Sequence, residues 1–482
     1  MKAWLLLFAC GLAQAQPEPA IPAIPWTLRR SVQEALSRSP ELQRLKAELG
    51  QAELEEPLLL ALTDPQFQAG YSHTNDRSPR AAPAFQGSFS RLETFETGLL
   101  QRTLLGTETK LLWHNERLTS PSLFRTLDPS AASNLSLELS QPLIKDFWGR
   151  PDKARRGAAR ARALSARWRW ENARADHAAR AARAHLELYF ARRQLRVREA
   201  GVEEAERLVV SHRDKRRYGL VEASDLLQAE ASLELRQTEL IVARSSLRQA
   251  ELGFRAALHQ PASSPAPTLS EPEPMPEPRL EPEAALSRRP DLLSAQAARK
   301  AGEWDLRLAR LDIRPDLSLE GAYRFSGLAG TYQSSWKDMS GWDHAVKTVG
   351  LRLLVPLTFR RERLLRRQAE QALEGLAAEE RRVREQVERE LAQADESWQT
   401  ARRRVAAGLR LLELERRKAA AEESNFRKGR STTDLMVRFR QDIQRAESEL
   451  LRAQQDELAA RIELARASGT LIEELGLEAP AR

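Results

Sequence analysis

The 482-residue sequence is poor in sulfur and in long apolar runs. It has one cysteine, Cys10, and four methionines, too few for a disulfide framework or for a thioether path for copper. Its longest apolar segment covers residues 4–13, whereas a membrane-spanning helix needs about 20 residues. These shortages exclude a helical transport protein. They do not exclude a β-barrel, because barrel strands alternate polar and apolar residues and never make such a run.

The first 15 residues predict a signal peptide for export. Lys2 precedes the apolar segment, and Ala13-Gln14-Ala15 forms a small-x-small cleavage site. Cleavage there removes the one cysteine, so the mature chain can form no disulfide. In the alternative interpretation, residues 7–10 are a lipoprotein cleavage box and Cys10 carries lipid. Both interpretations predict an exported protein.

The formal net charge of +8 does not by itself indicate nucleic-acid binding. The 76 Lys and Arg residues are interleaved with 68 Asp and Glu residues along most of the helical sequence. Mixed charge of this kind is typical of a solvated helix surface rather than of a phosphate-binding patch. We therefore expect no nucleic-acid partner. A nucleic-acid-binding coiled coil would remain in the cytoplasm and would bind with a strong dependence on salt.

Proline placement predicts two pairs of very long helices. Residues 152–260 and 357–479 contain no proline, and both stretches are rich in strong helix formers. Each stretch contains a glycine-marked turn, at Gly219 and at Gly429. The predicted helices cover residues 154–217, 224–258, 361–428 and 433–475. Two antiparallel pairs of this length indicate coiled-coil architecture rather than a single globular core.

Other segments have the two-residue period of β-strands, with apolar residues on one face and Ser, Glu, Arg or Gln on the other. They are residues 66–75, 134–142, 316–323 and 349–355. This alternation suits a barrel with lipid outside and water inside, and it suits a soluble sandwich equally well. The signal peptide and the flanking aromatic residues favour the membrane barrel. These aromatic residues are Trp113, Trp148, Tyr323, Tyr332, Trp336 and Trp342. Residues 95–117 add a hairpin-like segment that alternation assigns neither to the barrel nor to a loop.

An internal repeat divides the chain into two halves. Ala35-Leu-Ser-Arg-Ser-Pro-Glu-Leu42 recurs as Ala285-Leu-Ser-Arg-Arg-Pro-Asp-Leu292. Each half reads helix, strand, strand, long helix, turn and helix. The predicted organisation is a signal peptide (1–15), a first repeat (16–260), a proline-rich linker (261–282), a second repeat (283–476) and a C-terminal tail (477–482). We expect the linker to be extended and poor in secondary structure.

The order of these features resembles the TolC-like outer membrane efflux protein family over nearly the whole mature chain. Each half opens with Ala-Leu-Ser-Arg, one variable residue, Pro, an acidic residue and Leu. Leu139-Ser-Gln-Pro-Leu143 precedes the first long helix, and Tyr218-Gly219 is followed by Ser224-Asp-Leu-Leu-Gln-Ala-Glu230. The ending Ala467-Ser-Gly-Thr-Leu471 also matches. No single motif is specific for the family. The specific signal is their duplicated order, with helices of the right length between them.

The resemblance implies an α+β membrane protein that forms an outer membrane exit duct. Three chains would each give four strands to one twelve-stranded β-barrel, continued by a long α-helical coiled-coil periplasmic tunnel. Closing the sheet between subunits removes strand edges that lipid hydrocarbon does not tolerate. The implied partners are outer membrane lipid, a periplasmic adaptor (membrane fusion) protein and the inner membrane pump of a tripartite efflux or type I secretion system.

The sequence contains no pattern of catalytic residues, and we expect no enzyme activity, no cofactor and no metal. The seven histidines are scattered, and the eight-residue interval between His177 and His185 is no metal-ligand spacing. There is no glycine-rich phosphate loop and no serine elbow. We expect a passive channel. The energy that drives transport through it would come from a partner protein.

The resemblance also implies a gate at the two helix-pair turns. Asp434 corresponds to an aspartate that lines the closed aperture, and Arg430 is the candidate partner of the first-turn aspartate, Asp225. Relatives often have a second acidic residue one turn after the first, where this chain has Val437. The second turn is also one residue shorter than the first between its glycine and its aspartate. Three copies of Asp434 near one axis would attract cations.

A soluble alternative is a periplasmic coiled-coil scaffold or adaptor protein. It would explain the long helices and the export signal, but not the duplicated strand pairs. It predicts that the protein is released with the soluble periplasmic fraction.

Overall fold

The computed structural model of the chain describes residues 25–219, 221–265, 267–273, 275–278, 282–428 and 430–477. The predicted signal peptide, Cys10, the turn residue Gly429 and all but the first residue of the predicted C-terminal tail lie outside the described residues.

The described residues form eleven α-helices and six β-strands. The helices are α1 (Leu28–Arg38), α2 (Pro40–Ala61), α3 (Pro83–Gln86), α4 (Arg150–Arg217), α5 (Ala223–Ala257), α6 (Pro282–Arg288), α7 (Pro290–Asp312), α8 (Tyr332–Ser340), α9 (Arg360–Arg427), α10 (Thr433–Ala467) and α11 (Leu471–Glu474). The strands are β1 (Gln66–Asp76), β2 (Ser90–Arg102), β3 (Glu108–Thr119), β4 (Ser130–Pro142), β5 (Asp316–Ala329) and β6 (Ala345–Leu354).

The four long helices predicted from proline placement are confirmed. Helices α4 and α9 have 68 residues each, and α5 and α10 have 35 each. Helix α10 ends at Ala467, earlier than predicted, because Gly469 adopts a positive φ of 74° that breaks the helix before α11 begins. None of the described helices is both long enough and apolar enough to cross a membrane.

The six strands form one antiparallel sheet in the order β1-β2-β3-β4-β5-β6. The prediction of four strands per chain is therefore wrong. Residues 95–117 belong to β2 and β3, and this hairpin lies inside the sheet because β2 pairs with β1 while β3 pairs with β4. The first half of the chain thus supplies four strands and the second half supplies two, joined by the pairing of β4 with β5.

The sheet has one apolar and one polar face, as the alternation predicted. The register places Leu99, Leu111, Leu137 and Tyr323 in one cross-strand row. The next row, on the opposite face, contains Gly98, Leu112, Ser136 and Arg324. Further residues of the polar face are Glu96, His114, Asn134, Glu138, Glu320 and Arg352.

The described chain divides into two compact units. The sheet unit comprises Glu41–Asn172 and Leu286–Glu388 and contains the six strands. Its helices approach closely at two glycines, Gly157 against Trp304 and Gly302 against Leu376, where a Cβ atom would come within 2.7 and 2.8 Å of those side chains. Small residues at these positions are therefore needed for the observed packing.

The helical unit comprises the described residues within Met1–Pro40, Ala173–Ala285 and Arg389–Arg482. Its main core combines large buried side chains such as Leu188, Phe254 and Ile462 with a series of alanines on α4. The proline-rich segment lies against this core. Trp26 N–H donates to Thr268 O at 2.8 Å, and Arg461 Nη2 donates to Pro276 O at 2.7 Å. The described residues of 261–278 form no helix and no strand apart from one isolated bridge between Leu269 and Trp26.

Candidate functional site

The two helix-pair turns lie together in the helical unit, because α5 and α10 contact each other near their first residues. Asp225 lies in the first turn of α5 and Asp434 in the first turn of α10. Thr432 is the N-cap residue of α10, and its Oγ1 accepts a hydrogen bond from Leu435 N–H at 3.5 Å. Carboxylates are favoured near helix N-termini by the partial positive charge there. The partial positive charge of the helix N-terminus therefore accounts for part of the occurrence of both aspartates.

Asp434 also contacts a neighbouring helix. Gln228 Nε2 on α5 donates to Asp434 Oδ1, and Arg438 Nε donates to Asp434 Oδ2 at 2.9 Å. The carboxylate is thus bound by one group from α5 and one from its own helix. Sequence reasoning missed both partners. Gln228 stands inside the motif that follows the first turn, and Arg438 has the i,i+4 spacing of a helical ion pair.

Arg430 and Asp225 are not brought together within one chain. Arg430 N–H donates to Asn425 O at 2.9 Å, which closes the end of α9. The Arg430 residue is exposed, and in the described part of the chain no ion pair joins it to Asp225. A link between these two residues stays a prediction.

Val437, at the position where relatives often carry a second acidic residue, is buried. It is 5% exposed, and its neighbour Met436 is also buried. The side chain therefore belongs to the apolar packing of α10. In the first turn of α10, Asp434 is therefore the acidic residue that can interact with the neighbouring helix α5.

Further polar contacts connect α10 with α4 and α5. Arg440 pairs with Glu204 at 3.0 Å, and Gln194 Nε2 donates to Ser448 Oγ at 3.1 Å. Arg236 of α5 donates to Gln444, and burial lowers the pKa of this guanidinium. An exposed ion pair contributes only about 0.2–1 kcal/mol. The partly exposed Arg440–Glu204 pair falls in this range, whereas Arg236 is buried at 8% exposure.

The polar face of the sheet is the candidate channel wall. It carries polar and charged side chains in cross-strand contacts, with His114 Nδ1 3.6 Å from Glu96 Oε2 and Arg352 Nη2 2.9 Å from Glu320 Oε1. On the opposite face, Val349 is 81% exposed and the leucines beside it are also exposed. An exposed apolar surface of this kind marks contact with lipid or protein. The sheet thus presents one face suited to water and one suited to hydrocarbon.

The described residues contain no group of three or more His, Cys, Asp or Glu side chains that could hold a metal ion. His177 and His185 are both buried in the helical unit, and His185 Nδ1 lies 2.9 Å from Ser31 Oγ. Burial next to the Arg192 charge lowers the pKa of His185 to about 4. His185 is therefore a neutral core residue at pH 7.

Comparison with known proteins agrees with this arrangement. The family model described as outer membrane efflux protein matches residues 31–259 and 282–470. No curated protein matches the chain.

Several solved structures share the fold. The outer-membrane channel OprN has a TM-score of 0.67 at 18% identity, covering 92% of this chain and 90% of that one. The outer membrane protein VceC of Vibrio cholerae has a TM-score of 0.65 at 17% identity, covering 92% and 96%. The open state of the MtrE outer membrane channel of Neisseria gonorrhoeae has a TM-score of 0.65 at 16% identity, covering 92% and 89%.

Proposed function

The chain belongs to the outer membrane efflux protein family and is an outer membrane exit duct, and we propose that three copies of it form the outer membrane component of a tripartite export system. In this assembly the six-stranded sheet lies in the outer membrane and the long helices lie in the periplasm. The observation that carries the proposal is the two-faced sheet, with exposed apolar residues on one face and mixed charges on the other.

The two edges of the sheet support closure between copies. Strands β1 and β6 each pair with one neighbour in the described chain, so one side of each strand has no partner in a single copy. Unpaired backbone N–H and C=O groups are not tolerated in hydrocarbon. We propose that β1 of one copy pairs with β6 of the next. With six strands per chain, a closed trimer would have eighteen strands, and barrel diameter grows with strand number.

The helix-pair turns are the proposed gate. Asp434 of each copy would narrow the aperture and attract cations, and the Gln228–Asp434 hydrogen bond would hold the two helix pairs together in the closed state. Arg430 and Asp225 would add links between neighbouring copies. A periplasmic adaptor that binds the open arrangement more tightly would shift the equilibrium toward it. Energy for export would come from an inner membrane pump.

The first experiment is to separate the membranes, extract the protein in detergent and measure its native mass. A heat-sensitive trimer from the outer membrane fraction, which forms ion-conducting channels in planar bilayers, is the expected result. A monomer or dimer in the soluble periplasmic fraction would overturn the duct and favour a soluble coiled-coil scaffold.

A further inference from the structure

Helix α8 lies on the apolar face of the sheet. Ser335 Oγ is 2.9 Å from Ser133 Oγ of β4, and the rings of Trp336 and Trp113 have centroids 4.9 Å apart. The helix rests on Gly327 of β5, where a Cβ atom would come within 2.1 Å of the Ser335 carbonyl oxygen. Gly327 is therefore required for this close approach, and the helix is a built part of the sheet unit.

A cleft of about 860 Å³ lies between α8 and strands β1 to β3. Its apolar wall is aromatic, with Tyr71, Phe95, Trp113 and Trp336 among the lining residues. Phe95 packs edge-on against Trp113 with ring centroids 5.7 Å apart. A cleft of this size and composition suits a largely apolar ligand.

Two hydrogen-bond donors in this wall have no partner in the described chain. Asn115 is 4% exposed, and its Oδ1 accepts from Ser133 Oγ at 2.7 Å while its Nδ2 has no acceptor. The indole Nε1 of Trp113 is likewise buried without an acceptor. A buried donor without an acceptor destabilises the folded chain, because it has lost its hydrogen bond to water. The cleft therefore favours a ligand that brings an acceptor oxygen together with an apolar body.

The position of these donors along the sheet, measured as depth in the membrane, indicates the class of ligand. Ser133 stands nine residues before Pro142 at the end of β4. Along a strand tilted by about 40°, that interval corresponds to a height of roughly 23 Å, close to the ~25 Å apolar band of a membrane barrel. The row formed by Asn115 and Ser133 would then lie at a membrane interface, where lipid ester and amide carbonyls meet the acyl chains.

Charge at the same position agrees with a lipid headgroup. Lys337 of α8 lines the cleft and is exposed. Glu93 also lines the cleft, and its cross-strand neighbour is Arg117. Aromatic residues with a polar atom are enriched at membrane interfaces.

We propose that the cleft binds one phosphate-bearing acyl lipid of the outer leaflet. An acyl chain lies against Phe95, Trp113 and Trp336, a carbonyl oxygen accepts from Asn115 Nδ2, and the headgroup phosphate lies near Lys337. This proposal rests on the proposed function, because it requires that the apolar face of the sheet contacts the outer membrane.

The test is native mass spectrometry of the purified, detergent-extracted protein with added lipid A as the probe. One lipid per chain is expected for the unchanged protein. Asn115→Leu removes the hydrogen-bond donor, and Lys337→Glu reverses an exposed charge without disturbing the packing. Each substitution should lower the fraction of protein with bound lipid at least fivefold. Asn134→Leu, on the polar face of β4, is the matched control and should leave lipid binding unchanged.

The outcomes separate the two proposals. If Asn115→Leu fails to fold, the lipid binding of Lys337→Glu decides whether the site exists. Lipid binding that is equal in Lys337→Glu and in the control, in channels that are still trimeric, overturns the lipid site and leaves the duct intact. A loss of trimer in these variants with an unchanged lipid count assigns the cleft to a neighbouring copy and also overturns the site. If the proposed function itself is wrong, the membrane separation described above would already show it, because the protein would be absent from the outer membrane fraction.

Discussion

Gln228 of α5 donates a side-chain hydrogen bond to Asp434 of α10, and this contact joins the two helix pairs at their turns. It connects the residue predicted to line the aperture with a residue that the sequence did not single out for a role. A neutral amide next to a carboxylate makes a charge-assisted hydrogen bond without forming an ion pair.

Gln228→Glu should open the channel. The substitution places a second carboxylate beside Asp434, so the hydrogen bond is replaced by repulsion. We expect a several-fold higher conductance in planar bilayers. Gln237→Glu, farther along the same helix, is the matched control. Equal conductance of both variants and the unchanged protein would show that this contact does not hold the gate.

Asp434→Asn should weaken the block of channel current by multivalent cations. The substitution keeps the side-chain shape and removes a negative charge from each copy of the proposed aperture. The blocking concentration should rise by about tenfold or more, equivalent to roughly 1.4 kcal/mol of cation binding. Asp456→Asn, on the same helix and paired with Arg404 at 2.8 Å, should leave the block unchanged. A block that is insensitive to Asp434→Asn would contradict the pore position.

Cysteines placed on β1 and β6 should crosslink neighbouring copies. Gly70 and Gly350 both lie on the polar face of the sheet with open space around them, and a predicted mature chain without cysteine gives no background. We would combine Gly70→Cys in turn with cysteine at Thr348, Gly350 and Arg352. One pairing should give covalent trimers on a non-reducing gel.

A cysteine at Leu351, on the opposite face, is the control for these crosslinks and should not react with Gly70→Cys. Absence of covalent oligomers in all three pairings would mean that β1 and β6 do not meet between copies.

Because His185 is buried in its neutral form, the folded protein should be less stable in mild acid than at pH 7. Its pKa is about 4 in the folded chain and 6.5 when unperturbed, because burial disfavours the charged ring. Below pH 6.5 the unfolded chain takes up the proton first, so stability falls as the pH drops and levels off near pH 4. The loss attributable to this residue is roughly 3 kcal/mol.

His185→Leu should flatten the stability profile between pH 6.5 and 4 in denaturant unfolding. His344→Leu, at an exposed position, should leave the profile unchanged. A profile that His185→Leu does not alter would show that another group controls the acid sensitivity.

Much of the fold could be predicted because it depends on local preferences. The start of α7 shows this, since Pro290 is its first residue in the repeated Ala-Leu-Ser-Arg-x-Pro motif, and proline is well suited to the first turn of a helix. Pro40 begins α2 in the other copy of the motif. The candidate site was predicted only in part. The sequence indicated Asp434, but its partners depend on how α5 and α10 pack.

The sequence by itself determined the long helices and the two faces of each strand, because helix propensity and a two-residue period act between residues close in the chain. Tertiary structure alone decided the number of strands in the sheet. Residues 95–117 become a central hairpin only through pairings such as Leu111 with Leu137, and the two halves join through pairings such as Leu135 with Phe325. Tertiary structure also decided that Asp434 contacts Gln228, since these residues are 206 positions apart. Contacts at such separations are selected by packing of the whole chain, and no local pattern encodes them.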